Sequence, residues 1–378
     1  PYQHDLNYLM LEESLDRLHP VLNDSLLGHE NAEHEFLSAY TSGRMHHAWI
    51  ITGPKGVGKA TLAYKIAKFL LSQSIEQGGV SLFGDDLETA IPETLDTKAE
   101  SEAVQRIKSM AHGGLMTVAR SEDPKTKVQR KLIVIDDVRK AHKFFNRTSA
   151  EGGWRVIIVD AADEMNRNSA NALLKILEEP PKHAILLLVA HAPGKLLPTI
   201  RSRCRQLKLP PMQIDTVKAV LSMKYPDMDG VQLEKIALLA EGSPGKAIRL
   251  AEENGLPLYD RMIDILLTAP RLNTPMVHNL AAELGAIKAD ASYHLFMEYL
   301  SGWLERLVRF SASGDTPYVL HKQEEALFKR LADTCRVDRW IEVWEKMHTL
   351  ELRAETLNMD RKQLLVSLFF SIAAAAQN

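Results

Sequence analysis

Short apolar runs alternate with helical patterns over the first 210 residues of the chain. The runs read HHAWIITG, RVIIVD and AILLLVA and begin at His46, Arg155 and Ala184. The last two are almost uninterrupted and rich in leucine or β-branched residues, which is typical of strands buried on both faces of a parallel sheet. Because helical spacing follows the first run and separates the other two, we predict an α/β domain whose parallel sheet carries helices on both faces.

Two amphipathic helices are predicted between these strands. One follows Gly58, and the other ends before Pro180 and Pro181, because proline cannot continue a helix. In both helices the apolar residues recur at spacings of three and four, which marks one buried face. These residues are Leu62, Ala63, Ile66, Ala67 and Leu70 in the first helix and Ala170, Leu173, Leu174 and Leu177 in the second.

The stretch from about residue 73 to 128 shows neither the strand nor the helix period. It is charged and contains glycine, as in FGDDLETAIPETLDTKAESE. We interpret it as an insertion in the α/β domain that is partly helical.

Two pairs of adjacent residues could suggest a metal site, and neither is predicted to form one. Asp136 and Asp137 are predicted to begin a helix, since acidic residues favour a helix N-terminus. His46 and His47 adjoin on a predicted strand, so we expect their side chains to point to opposite faces and to share no metal.

After Met212 the chain shows only helical patterns. We predict three domains: the α/β domain at 1–210, a small helical domain at 211–270 and an all-helical domain at 271–378. Two apolar stripes in the last domain are predicted to be helix-packing core. They are Phe296, Leu300, Trp303, Leu304 and Leu307, and then Trp340, Trp344 and Met347.

Composition excludes several classes of protein. The 378 residues carry a net charge of −3, so the chain as a whole is not a polycation that seeks nucleic acid. No apolar run approaches the roughly 20 residues of a membrane span, and the N-terminus shows no secretory pattern. Cys204 and Cys335 are too few for a four-cysteine zinc site and are typical of a reducing compartment. We therefore predict a cytoplasmic protein without a membrane partner.

Gly53 through Lys59 read G-x-x-x-x-G-K, the pattern of a loop that holds nucleotide phosphates with backbone N–H groups and one lysine. A predicted strand precedes the loop and a predicted helix follows it, which is the context that the pattern requires. The next residue is Ala60, where a serine or threonine hydroxyl normally holds magnesium. The candidate nucleotide-binding residues are Gly53, Gly56, Gly58, Lys59, Thr61 and Asp160.

The other half of an ATPase site is also incomplete. Phosphate-loop ATPases need a second strand that ends in an acid, and many have a glutamate that orients water. Here Asp160 ends the strand and Ala161 follows it, while Asp163 and Glu164 are predicted to begin the next helix. Thr61 is a poor substitute for the missing hydroxyl, because one step along a helix turns a side chain by about 100°. The two alanines predict a site that does not hydrolyse ATP efficiently.

Five stretches, spread over nearly the whole chain outside the insertion, are similar to one family. They are LLGHENAEHEFLSAYTSGRMHHAWIITGPKGVGKATLA, NSANALLKILEEPP, LLPTIRSRCRQLKLPPM, EGSPGKAIRLAE and LNMDRKQLL. Together they resemble the clamp-loader branch of the AAA+ ATPases, the bacterial DNA polymerase III γ/τ and δ′ subunits. The resemblance implies an AAA+ P-loop domain, a helical lid domain and an all-α collar domain for the three regions given above.

Three positions depart from the hydrolysing subunits of that family. Those subunits carry Ser or Thr after the loop lysine, a Glu in the D-E-x-x box and an Arg in the lid, where this chain has Ala60, Ala161 and Gly245. The family's polar sensor residue falls at Ala190 or His191. The departures favour the non-hydrolysing δ′ type, with a weak or vestigial site for ATP or ADP. The family's four-cysteine zinc module is missing from the sequence, and we predict no zinc and no other metal.

Ser202-Arg203-Cys204 matches the family signature for an arginine that reaches a neighbouring subunit's nucleotide. The resemblance therefore implies that Arg203 is a trans arginine finger; the alternative is an ordinary surface salt bridge. The implied partners are the γ/τ and δ clamp-loader subunits, the sliding clamp and primed DNA, within the DNA-directed DNA polymerase III holoenzyme. Two other functions stay open: a γ/τ-type motor that hydrolyses ATP, and an AAA+-like interaction protein without a role in replication.

Overall fold

The computed structural model describes residues 19–73, 92–123, 125, 128–146, 153–314, 318–357 and 360–377. The chain divides into two units. The first comprises residues 1–220 and 242–245, and the second comprises 221–241 and 246–378. The domain boundaries predicted at 210 and 270 stay predictions.

The first unit is built on a parallel sheet. Its strands are β1 (Ala48–Thr52), β2 (Leu115–Val118), β3 (Arg155–Asp160), β4 (Ala184–Ala190) and β5 (Arg205–Lys208). They are arranged in the order β2-β3-β4-β1-β5, and every neighbouring pair is parallel. The three inner strands β1, β3 and β4 lie on the three apolar runs of the sequence, so their prediction is confirmed.

Helices precede, connect and follow these strands. They are α1 (Glu30–Thr41), α2 (Lys59–Ser72), α3 (Glu102–Lys108), α4 (Ile135–Phe145), α5 (Arg167–Glu178), α6 (Pro198–Arg201) and α7 (Ile214–Lys224), the last of which continues into the second unit. The predicted apolar face of α2 is fully buried. Helix α5 begins after Asn166, whose side chain accepts the backbone N–H of Ser169, and it ends before Pro180. Helix α4 has Asp136 and Asp137 in its first turn, as predicted.

Alternate residues of the inner strands enter two apolar cores on opposite faces of the sheet. Trp49 and Ile51 of β1 belong to the core that includes α1 and α2. Ala48 and Ile50 belong to the core that includes α4 and α5. Helices therefore cover both faces, and the predicted α/β fold class is confirmed.

The stretch predicted as an insertion at 73–128 contains a strand of the sheet. β2 pairs in parallel with β3, with Leu115 opposite Val156. The prediction is therefore wrong at the C-terminal end of the stretch. β2 is a four-residue edge strand that is mostly half-buried, so it lacks the long apolar run that identifies an inner strand. Helix α3 confirms that the stretch is partly helical, and residues 74–91 lie outside the described residues.

The second unit contains helices and no strand among its described residues. The helices are α8 (Gly230–Leu239), α9 (Pro244–Glu252), which begins in the first unit, α10 (Gly255–Leu267), α11 (Thr274–Leu284), α12 (Asp290–Ser313), α13 (Glu324–Thr334), α14 (Val337–Leu357) and α15 (Arg361–Ala375). Helix α12 packs against α10, α13 and α14. Trp303 of α12 and Trp340 of α14 are fully buried, which confirms their predicted place in the core.

A buried ion pair joins three helices of this unit. Arg306 of α12 lies 3.1 Å from the carboxylate of Glu324 in α13, and Glu324 is fully buried. The hydroxyl of Tyr259 in α10 donates to Glu324 and accepts from Arg306. Charges can be buried without a large penalty when they are paired and hydrogen-bonded in this way.

Candidate functional site

The phosphate loop connects β1 to α2 and requires glycine at two places. Gly53 has φ of +153°, and a Cβ atom there would come within 2.2 Å of the carbonyl oxygen of Leu209. Gly58, at the start of α2, is left-handed with φ of +106°. Glycine adopts both conformations without the penalty that other residues have. The loop is thus placed between a buried strand and a helix, the context that its sequence pattern requires.

Lys59 contacts the carbonyl oxygens of its own loop. Its Nζ donates to the oxygen of Gly53 at 2.7 Å and to that of Pro54 at 2.5 Å. Burial lowers the pKa of Lys59 to about 8, although the nearby carboxylates of Asp160 and Asp163 oppose the shift. The ammonium group that a phosphate loop offers to the β- and γ-phosphates is here bound by backbone oxygens.

Asp160 lies beside this lysine at the end of β3. Burial raises the pKa of Asp160, and the positive charge of Lys59 partly opposes that shift. Ala161 follows and is buried. The structure therefore brings Lys59 and Asp160 together, while the water-orienting position has a methyl group in place of a carboxylate.

The two acids that follow do not begin α5, so that prediction is wrong. Asp163 and Glu164 form a one-turn 3-10 helix, and Asn166 caps α5 in their place. The Asp163 carboxylate accepts the backbone N–H groups of His191 and Ala192, both at 2.9 Å. Burial favours a raised pKa for Asp163, but these two N–H groups lower it below the ordinary value. Asp163 therefore holds the chain where it leaves β4.

His191 directly follows β4 and is one of the two positions considered for the polar sensor. Burial and the nearby charge of Lys59 lower the pKa of His191 to about 4, so the imidazole is neutral at neutral pH. Its Nδ1 is buried and has no hydrogen-bond partner among the described residues. A neutral ring brings no positive charge to a phosphate.

The segment at residues 242–245, which belongs to the first unit, lies against the phosphate loop. The backbone N–H of Gly245 donates to the carbonyl oxygen of Gly56 at 2.9 Å. The hydroxyl of Ser243 donates to the carbonyl oxygen of Lys55 at 2.8 Å. A Cβ atom at position 245 would come within 2.9 Å of the Gly56 Cα, so no side chain fits there. The sequence shows a glycine at 245, but it does not show that Gly245 contacts Gly56.

The residues around the loop do not fit a magnesium-bound triphosphate. Magnesium prefers oxygen ligands, and Ala60 has no hydroxyl to offer. Thr61 is buried in α2. Within the part of the chain that the structure describes, no group of three or more His, Cys, Asp or Glu residues could hold a metal ion. The site has the backbone of a phosphate loop and the carboxylate of Asp160, but no side-chain oxygen at positions 60 and 161.

Arg203 lies just after α6 on the surface and is bound at two nitrogens. Its Nη2 is 3.2 Å from Oε1 of Glu178, the last residue of α5, and its Nη1 donates to the carbonyl oxygen of Thr199 at 3.1 Å. The side chains of Arg203 and Glu178 are 40% and 52% exposed. The surface salt bridge considered as the alternative is therefore present in the isolated chain. Such exposed pairs are weak, so this one leaves Arg203 able to bind elsewhere.

His46 and His47 precede β1, which begins at Ala48. Their rings are stacked with centroids 4.6 Å apart, so the prediction of opposite faces is wrong. The alternation of side chains applies only within a strand. Each ring is hydrogen-bonded to a backbone oxygen, that of Ala48 for His46 and that of Leu177 for His47.

The sheet, the loop and the covering helices define an α/β protein with a phosphate loop. The family described as "DNA polymerase III, delta subunit" matches residues 28–213. The DNA polymerase III subunit δ′ of Pseudomonas aeruginosa is 34% identical over 269 residues, which are 71% of this chain and 74% of that protein. The τ subunit of Escherichia coli is 28% identical over 233 residues, which are 60% of this chain and 32% of that protein. The chain belongs to the family of DNA polymerase III clamp-loader subunits.

Because both δ′ and τ proteins are among these relatives, family membership alone leaves the type of subunit open. A DNA polymerase III γ-subunit-related protein from Thermotoga maritima can be superimposed on 90% of this chain and 99% of its own, with 18% identity and a TM-score of 0.38. Nothing about this chain follows from so low a score. No helix in the described ranges is long and apolar enough to cross a membrane.

Proposed function

We propose that this chain is the non-hydrolysing, δ′-type subunit of a DNA polymerase III clamp loader. The observation that carries the proposal is the state of the phosphate loop. Lys59 is bound to the carbonyl oxygens of the loop, and Gly245 lies on Gly56. A phosphate would have to compete with these carbonyl oxygens for the lysine. The proposal is also supported by two alanines. Ala60 has no hydroxyl to bind magnesium, and Ala161 has no carboxylate to orient water.

In this proposal the chain acts on a neighbour's nucleotide. Arg203 contributes a guanidinium group to the ATP bound by an adjacent γ/τ-type subunit, where it stabilises the charge that develops on the transferred phosphoryl group. Its exposure on the surface and the forked geometry of guanidinium support this role. Any ATP or ADP at the chain's own loop is held weakly.

The proposed function also requires assembly with the other clamp-loader subunits. The helices of residues 271–378 form a collar that joins γ/τ-type and δ-type subunits. The complete complex loads the sliding clamp onto primed DNA.

The steady-state ATPase activity of the purified chain tests the proposal. We expect no magnesium-dependent turnover above background, because the chain has no side-chain oxygen at position 60 or 161 to organise magnesium and water. Lys59→Ala is the control, since a contaminating ATPase would not respond to it. Turnover that is present in the wild-type chain and lost in Lys59→Ala would favour a γ/τ-type motor and contradict the proposal.

A further inference from the structure

Two acidic residues stand where α5 ends, Glu178 and the following Glu179. The C-terminus of a helix carries a partial negative charge, so acidic side chains there are unfavourable. Residues that go against a local structural preference often lie at functional sites. Arg203 is the cation that Glu178 contacts, whereas Glu179 forms no ion pair with any described residue.

The contact sets the place of the guanidinium group. Thr199 and Glu178 bind two different nitrogens of Arg203, one through a backbone oxygen and one through a carboxylate. Guanidinium has five N–H donors, so donors remain for a further ligand. Of the two oxygens, that of Glu178 carries a negative charge and therefore competes with any anion that approaches Arg203.

We propose that Glu178 is the counter-ion that Arg203 exchanges for the phosphates of a neighbouring subunit's ATP. This inference rests on the proposed role of Arg203 as a trans arginine finger. In the free chain the Glu178 carboxylate neutralises the guanidinium and keeps it near the end of α5. In the assembled complex the triphosphate, with its larger negative charge, binds the same cation and repels Glu178, so the ion pair opens.

The magnitudes permit the exchange. An exposed ion pair changes an equilibrium by less than about fivefold. An arginine finger changes the rate of phosphoryl transfer by about 10³ to 10⁵. Because the ion pair is this weak, the charged oxygens of a triphosphate, which bind guanidinium in a fork, displace Glu178. Removing the negative charge of Glu178 should strengthen the binding of ATP equally in the ground state and the transition state. Such a change lowers KM and leaves kcat almost unchanged.

The experiment is the clamp-dependent ATPase activity of a complex reconstituted from this chain and the γ/τ-type subunit, δ-type subunit, sliding clamp and primed DNA of the same organism. Glu178→Gln keeps the size of the side chain and an acceptor oxygen while it removes the charge. We expect KM for ATP to fall about 2- to 5-fold with kcat within about twofold of wild type. In an Arg203→Ala background, Glu178→Gln should have no effect.

Glu179→Gln is the matched control, since it removes the same charge from the next residue, and it should leave KM unchanged. An unchanged or raised KM in Glu178→Gln, with turnover still lost in Arg203→Ala, overturns the exchange and leaves the finger in place. An equal fall in KM for Glu179→Gln also overturns it, because the effect would then come from general electrostatics. Wild-type turnover in Arg203→Ala removes the finger and the exchange together.

Discussion

Lys59 carries a titratable charge into a buried position of the phosphate loop. Burial lowers its pKa from 10.5 to about 8, so the side chain loses its charge as pH rises through about 8. The unfolded chain keeps this proton until near 10.5, so it binds more protons than the folded chain between these values. The stability of the wild-type chain relative to Lys59→Met should therefore increase with pH in that range.

We expect Lys59 to titrate near pH 8 in NMR spectra of the lysine side chains. The physical reason is the burial of its ammonium group, and Lys59→Met supplies the assignment. Affinity for a nucleotide, where it can be measured, should decrease as pH rises from 7 to 9. A Lys59 signal that titrates near 10.5, the ordinary value of a lysine, would contradict the buried position.

Which residues the sequence reveals depends on how far apart their partners are. The loop from Gly53 to Lys59 is recognisable because its chemistry lies within one short pattern. The contacts of Gly245 with Gly56 and of Glu178 with Arg203 join distant parts of the chain. No local sequence pattern predicts contacts between such distant residues. The only local signals are the glycine at 245 and the acidic residues at the end of α5.

At the scale of elements, the inner strands are predicted better than the edges. β3 and β4 are buried on both faces and read as uninterrupted apolar runs. The edge strand β2 is short and half-buried, so it was hidden in the predicted insertion. The prediction for the two histidines before β1 was wrong for a similar reason. Side chains alternate between faces only within a strand, and the sequence did not show that β1 begins after His47.

The contact between the 242–245 segment and the phosphate loop can be tested by a substitution at Gly245. In Gly245→Ala, the new Cβ would lie within 2.9 Å of the Cα and the carbonyl oxygen of Gly56, so the contact must open. We expect a loss of about 1–3 kcal/mol in the free energy of unfolding. We also expect faster amide hydrogen exchange at residues 53–58.

Gly230→Ala is the matched control, because nothing lies within 4 Å of the Cβ it would add. Its amide exchange at residues 53–58 should equal that of the wild-type chain. If Gly245→Ala also exchanges like the wild type, the 242–245 segment does not restrain the loop.

At the scale of the whole molecule, the chain has a parallel sheet with a phosphate loop, while positions 60 and 161 of its own site are alanine. A scaffold of this kind has a use in a complex if it presents a group to a neighbour. Arg203, which is exposed and bound by a weak ion pair, is the group that we propose this chain presents to a neighbouring subunit. The sequence predicts this organisation through the family signature at 202–204, and the structure adds the counter-ion.

The most direct test is the clamp-dependent ATPase activity of the reconstituted complex with Arg203→Ala and with Arg203→Lys. Both variants should assemble like the wild type, because the side chain is exposed and its ion pair is weak. Arg203→Ala should lower turnover at the adjacent site by on the order of 10³ or more. Arg203→Lys should recover little, since an ammonium group lacks the fork of guanidinium. Wild-type turnover by both variants in a correctly assembled complex would contradict the account.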